Sequence, residues 1–139
     1  MKVKVLPGGF APSRAHFADA GVDFRTPEAF TLRAGESRVV DLKVAVEIPI
    51  GWYGLMESKS GLMVKHQIVC EGGTIDAGFR GSIMARMTNR GKEPYHFFAG
   101  DKLVQMVIMP CLLAEIETVS SLDDPADGRG ENGWGSTGR

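Results

Sequence analysis

The chain has 139 residues, 43% of them hydrophobic and 24% charged, with a formal net charge of −1 at pH 7. Such a chain is one globular domain, long enough to bury roughly two-thirds of its unfolded surface. Its near-neutral balance excludes a general nucleic-acid or membrane-surface binder, because both need a broad positive field.

Met1 runs straight into the alternating segment Lys2–Leu6, which reads as a strand and lacks the apolar core of a signal peptide. No apolar run approaches the roughly 18 residues needed to span a bilayer, so a cytoplasmic protein is expected. Ala20-Gly-Val-Asp23-Phe-Arg25 reads as a short Gly-Asp turn entering a strand. Asp23 is then either a solvated turn residue or a carboxylate that holds a metal ion through water, the way Mg2+ is commonly bound. After the turn signal Ala34-Gly35, the run Ser37–Ile48 shows period-two patterning and reads as one strand segment, ended by Pro49-Ile-Gly51.

Ser58-Lys59-Ser60-Gly61-Leu62 gathers a cation, two hydroxyls and the start of Ser60–His66, the one stretch that looks helical. With Ser60 as N-cap this is either a plain cap or a small anion site. The paired glycines Gly72-Gly73 suit a hairpin, and an exposed backbone there can present a carbonyl and N–H pattern to a ligand edge. Within Gly73-Thr74-Ile75-Asp76-Ala-Gly-Phe79-Arg-Gly81, Asp76 is a candidate general base or sugar ligand, and Phe79 offers a ring to pack on a sugar. The plainer alternative is an ordinary hairpin with a turn aspartate.

Further strands are predicted at Ile83–Met87, Tyr95–Phe98, Leu103–Met109 and Ala114–Val119, separated by turns at Asn89-Arg-Gly91 and Ala99-Gly100-Asp101. Gln105 is the one polar residue in its apolar strand, pointing into a cleft or onto a solvated face. Many short strands with turns between them indicate an all-β barrel or a double-sheet jelly roll. Cys70 and Cys111 lie in apolar strand-like runs and read as free thiols of a reducing cytosol rather than a disulfide. His16, His66 and His96 show no metal spacing, and no Walker-type loop is present.

From Ser120 the sequence reads as a linker, with Asp123-Asp-Pro-Ala-Asp127 breaking any strand. The domain is thus expected over residues 1–119, with a C-terminal arm over 120–139 that is mobile without ligand. The arm ends in Arg129-Gly-Glu-Asn-Gly133-Trp134-Gly135-Ser136-Thr137-Gly-Arg139. This segment has almost nothing to bury. Its backbone N–H groups, hydroxyls and guanidinium groups suit a polyphosphate, and Trp134 gives a flat surface for a base. A frayed tail is the alternative reading.

In this order and spacing, Ala20–Asp23, Ser58–Leu62, Gly73–Gly81, Ala99–Gln105 and Arg129–Gly138 resemble the five motifs of the trimeric dUTP diphosphatases, or dUTPases. The resemblance implies a distorted jelly-roll or β-clip barrel with one short helix, assembled as a homotrimer with active sites at subunit interfaces. It implies Mg2+-assisted hydrolysis of dUTP to dUMP and pyrophosphate, with no nucleic-acid or membrane partner. Asp76 would orient the attacking water and bond the deoxyribose 3′-OH, and Phe79 would stack on the sugar. The backbone of Gly73, Thr74 and Ile75 would read the uracil edge. Lys59, Ser60, Gly61 and Gln105 would contact the phosphate chain, and Asp23 the hydrated Mg2+. Arg129, Ser136 and Thr137 would grip the terminal phosphates while Trp134, between Gly133 and Gly135, covers the base.

Three positions depart from the usual pattern: Phe79 replaces tyrosine, Lys59 replaces arginine, and Trp134 replaces phenylalanine. Two neighbouring readings share the fold. In a dCTP deaminase-type protein a glutamate is needed where this chain has Arg86, and an arginine cannot transfer the proton. A regulatory nucleotide-binding member of the family is the other.

Overall fold

The computed structural model describes residues 1–123 together with Pro125 and Ala126. Among the described residues the chain forms eleven strands and one helix. They are β1 (Lys2–Val5), β2 (Gly21–Arg25), β3 (Phe30–Leu32), β4 (Ser37–Asp41), β5 (Val44–Glu47), β6 (Trp52–Ser58), α1 (Ser60–His66), β7 (Ile68–Cys70), β8 (Thr74–Ile75), β9 (Met84–Asn89), β10 (Tyr95–Phe97) and β11 (Lys102–Pro110). Pairing is antiparallel throughout, in four small sheets ordered β2-β11-β6-β8, β4-β9-β7, β1-β5 and β10-β3. This is the expected all-β, jelly-roll-like architecture with a single short helix. No helix among the described residues is long and apolar enough to cross a membrane.

The inward side chains of the sheets form one core that includes Phe24, Leu32, Leu42, Ile68, Ile83, Met87, Phe97, Leu103 and Met106. Period-two patterning explains β9, β10 and the Val104–Val107 stretch of β11, whose alternate apolar positions turn toward the core, whereas β1 alternates in sequence but is exposed along its whole length. Three of the predicted turns carry a glycine in the left-handed region: Gly35 (φ 76°), Gly51 (φ 84°) and Gly100 (φ 91°).

Three expectations need correction. The run Ser37–Ile48 is two strands, broken at Leu42-Lys43. Lys43 has φ 55°, and Asp41 holds it there by accepting its backbone N–H at 3.0 Å and its Nζ at 2.7 Å. The break lets one sequence run serve two sheets, since β4 pairs with β9 while β5 pairs with β1. Gly72-Gly73 is not a hairpin turn, because β7 pairs with β9 and β8 with β6. The pair instead carries the chain from one sheet to the other. Gly72 has no room for a side chain, as a Cβ would lie 2.6 Å from that of Met56. Finally, Ala114–Val119 pairs with nothing among the described residues. Its alternation is real, yet Ile116 is 97% and Val119 50% exposed.

Candidate functional site

The candidate residues fall at two corners of the sheet β2-β11-β6-β8. At the first corner, Asp23 on β2 lies in register with Gln105 on β11, which lies in register with Glu57 on β6. These three share one face of the sheet, because directly opposed residues in an antiparallel pair point the same way. Gln105 is half-buried and donates from Nε2 to the Ser58 carbonyl at 3.1 Å. Its amide occupies the space over Gly21, where a Cβ would sit 2.2 Å from Gln105 Oε1.

Asp23 is not the solvated turn residue of one sequence reading. It is 3% exposed, in the middle of a strand, and bridged to Ser13 through two backbone hydrogen bonds of 2.8 and 3.1 Å. Its two carboxylate oxygens take one lysine each: Oδ1 accepts from Lys59 Nζ, and Oδ2 lies 2.7 Å from Lys102 Nζ. Burial would push the carboxyl upward. Hydrogen bonds and charge from Lys102 and Lys59 outweigh it and hold the group below the ordinary aspartate value.

Lys59 is also the N-cap of α1, with extended backbone (φ −73°, ψ 126°), so Ser60 is the first helical residue and not the cap expected from sequence. No side chain caps the helix, since the Lys59 side chain reaches Asp23 instead. The Ser60 and Gly61 residues are exposed, and nothing stands within 4 Å of where a Gly61 Cβ would be. Just before them, the Ser58 hydroxyl accepts the Cys70 N–H at 2.8 Å and ties β6 to β7.

The second corner is the loop after β8. β8 continues the sheet beside β6, with Gly54 opposite Ile75 and Leu55 opposite Thr74. Ile75 packs against the core, so Thr74 and Asp76 project from the opposite face. The Gly73 carbonyl accepts the Met56 N–H at 3.2 Å, while its Cα faces open space. Asp76 is exposed, and its carbonyl accepts the Phe79 N–H at 3.1 Å in a tight turn. Phe79 is 42% exposed, with its ring lying over Gly81. Arg80 braces the turn by donating Nη1 to the carbonyls of Ala77 (2.6 Å) and Phe79 (2.9 Å). The far end is anchored where the Ser82 hydroxyl donates to Asp41 and the Ile83 N–H donates to Val44 O at 2.8 Å.

Three strand spacings and about four residues of rise separate Asp76 from Asp23 on the same face, or roughly 15–20 Å. The structure therefore brings Asp23, Lys59 and Gln105 together beside Ser60 and Gly61, and Gly73, Thr74, Ile75, Asp76 and Phe79 together elsewhere. Arg129, Gly133, Trp134, Gly135, Ser136 and Thr137 lie outside the described residues. The sequence reading missed Lys102. Only the register shift of β11, which buries Leu103 and Val104 in succession, turns Lys102 toward Asp23. Arg86, at the position where a deaminase needs glutamate, is ion-paired through Nε with Glu71 at 3.1 Å.

Among the described residues no three His, Cys, Asp or Glu side chains gather as a metal site. Asp23 as placed does not fit the task of holding a hydrated Mg2+. The residue is 3% exposed, each carboxylate oxygen already faces a lysine, and the two ammonium groups outweigh its single charge where a dication would have to approach.

Comparison with known proteins gives one family. The dUTPase family model matches residues 9–138. A deoxyuridine 5′-triphosphate nucleotidohydrolase of Anaeromyxobacter sp. (strain Fw109-5) is 43% identical over 122 residues, covering 86% of this chain and 82% of that protein. One from Gloeothece citriformis (strain PCC 7424) is 37% identical over 99% of this chain and 97% of its own length. Among solved structures, the Staphylococcus bacteriophage 80alpha dUTPase with dUpNHpp superposes with a TM-score of 0.89 at 30% identity, covering 99% of this chain and 98% of that one. A dUTPase mutant from phage phi11 of S. aureus, with a TM-score of 0.81 at 30% identity over 88% of this chain and 97% of that one, is described for its coordination of a structural Mg(II) ion.

Proposed function

The chain belongs to the dUTPase family, and from that membership we propose that it hydrolyses dUTP to dUMP and pyrophosphate in the presence of Mg2+. The water attacks the α-phosphorus, oriented by the Asp76 carboxylate, and pyrophosphate leaves in line. Phosphoryl transfer asks mainly for positioning and charge neutralisation, so dispersed donors suffice without a P-loop. The open backbone of Gly73, Thr74 and Ile75 reads the uracil edge, and the outward ring of Phe79 stacks on the deoxyribose. Lys59, Ser60, Gly61 and Gln105 hold the phosphate chain. Arg129, Ser136 and Thr137 grip its far end, with Trp134, between Gly133 and Gly135, over the base. Residues 120–139 act as an arm distinct from the barrel of residues 1–119, in a cytoplasmic protein. Mg2+ would neutralise charge on the triphosphate, and no described side chain is assigned to it.

The observation that carries this reading is the pair of separated corners. One triphosphate cannot touch Gln105 and Asp76 of the same chain across roughly 15–20 Å while its α-phosphorus sits at the base. A homotrimer resolves this, with Asp76 and Phe79 of one subunit facing Lys59, Ser60 and Gln105 of the next. The exposed alternating segment Ala114–Val119 supports it, because it has the pattern of a strand and pairs with no described residue, which leaves it available to another copy. The test is pyrophosphate release from dUTP, dCTP, dTTP and UTP in parallel, with Mg2+ and with chelator. Release from dUTP alone, lost on chelation, is expected. Deamination of dCTP, or tight dUTP binding without turnover, would overturn the assignment.

A further inference from the structure

The pairing of β11 with β2 shifts register between Lys102 and Val104: Lys102 lies opposite Arg25, Val104 opposite Phe24 and Gln105 opposite Asp23. Leu103 is the extra residue of a bulge. Strict alternation back from Gln105 would turn Lys102 into the core. The bulge instead buries Leu103 and Val104 in succession, both at 0% exposure, and turns Lys102 onto the face of Asp23. Bulges re-aim side chains in this way, often beside active sites.

The re-aimed ammonium meets a carboxylate that is already paired. Asp23 carries one negative charge and faces two positive ones, Lys59 and Lys102, in a side-chain environment only 4% exposed. A structural ion pair needs one lysine; the second leaves the cluster Asp23, Lys59 and Lys102 with a net charge of +1. Each ammonium has three donors, and Asp23 engages one of each. The lysine side chains are 26% and 36% exposed, so their remaining donors are reachable by a solute. Gln105 lies in the next strand on the same face, and Lys59 adjoins Ser60 in sequence.

Resting on the dUTPase reading above, we infer that Asp23 is a positioning residue that holds Lys59 and Lys102 as a paired-ammonium cradle, and that Lys102 is a further binding residue for the phosphate chain. Asp23 in this chain orients cations; it does not hold a hydrated metal ion. The cradle supplies fixed positive charge to the polyphosphate whether or not Mg2+ is present.

The test uses the full chain and equilibrium binding of α,β-imido-dUTP, dUMP and inorganic tripolyphosphate, each in chelator and in Mg2+. Lys102→Gln is expected to weaken α,β-imido-dUTP by about tenfold in both conditions, the loss of one charge-assisted hydrogen bond, with dUMP binding unchanged. Lys102→Arg restores the charge and most of the affinity. Asp23→Asn weakens binding in chelator as well as in Mg2+, and leaves the Mg2+ concentration for half-maximal activation where it was. Three results overturn the inference: Lys102→Gln binding like the parent, Lys102→Gln weakening dUMP equally, or Asp23→Asn intact in chelator with a raised Mg2+ requirement. Because Lys102 is partly exposed, its variants stay informative if Asp23→Asn does not fold. Failure of the dUTPase reading has a different signature: no turnover of dUTP, with tripolyphosphate binding still dependent on Lys102.

Discussion

The two corners of the β2-β11-β6-β8 sheet differ in how much of their geometry a single chain supplies. The Asp23 corner is self-contained. Its carboxylate is buried and doubly paired, Gln105 is bonded to Ser58, and Gly21 leaves a space shaped for the Gln105 amide. The Asp76 corner is presented outward: no described residue takes the Asp76 carboxylate, and Phe79 lies open to solvent beside it. One corner is preorganised by its own chain, as charge stabilisation demands. The other is exposed, and in the homotrimer proposed above it would be a half-site completed by a neighbouring subunit.

The largest effect follows from that division. Asp76→Asn should abolish dUTP turnover while leaving the circular dichroism spectrum and melting temperature unchanged, since the side chain supports nothing in the fold. Lys59→Met should depress turnover by about a hundredfold, through loss of a fixed charge on the phosphates. Unfolding and refolding the two inactive variants together should restore about a quarter of parental activity, because a quarter of randomly assembled interface sites contain both intact halves. Activity that stays near zero in the mixture would mean that both corners serve one site within one chain.

How much of this was legible in the sequence differs between the same two corners. The loop Gly73–Gly81 could be read directly, because its chemistry lies in consecutive residues and a local turn. The strands β1, β10 and β11 were legible from alternation, whereas β6 was not. It lies between β11 and β8 with residues covered on both faces, and its pattern does not alternate. The Asp23 corner was read wrongly in its environment. Its partners stand 36 and 79 residues away, and nothing in Ala20–Arg25 announces that two lysines will neutralise the carboxylate. The break at Lys43 was hidden for a similar reason, since a lysine at positive φ carries no turn signature and is held there by Asp41. Ala114–Val119 shows the converse: the pattern is a strand's, yet it pairs with no described residue.

A second, smaller effect sharpens the contrast from the preorganised side. Gly21→Ala would place a Cβ 2.2 Å from Gln105 Oε1. The amide is the end of a flexible side chain and can swing away, so stability should fall by less than about 1 kcal/mol. The KM for dUTP should nonetheless rise, by about tenfold if Gln105 contributes one charge-assisted hydrogen bond to the phosphate chain. An unchanged KM would show that the Gln105 amide takes no part in binding, and would reduce the first corner to its lysines.

The smallest effect concerns how the outward loop is held. Its far foot is Ser82, whose hydroxyl donates to Asp41, and Asp41 also receives the Lys43 N–H and ammonium. The hydrogen bond and charge of Lys43, with the Ser82 hydroxyl, hold the Asp41 carboxyl down at about 2, against an ordinary 3.8. A carboxyl that titrates lower in the folded state stabilises the fold above about pH 4, and that contribution fades as pH falls toward 2. The side chain is 30% exposed, so solvent screening discounts the contribution to about 1 kcal/mol. Asp41→Asn should lower stability by this amount at neutral pH and flatten the acid limb of the stability curve between pH 4 and 2, measured by urea unfolding. Turnover of dUTP should respond less than stability does, because Asp41 anchors the loop at a distance from Asp76. A variant that loses turnover while keeping its stability would instead place Asp41 in the positioning of Asp76, making the outward corner more dependent on its own chain than its exposure indicates.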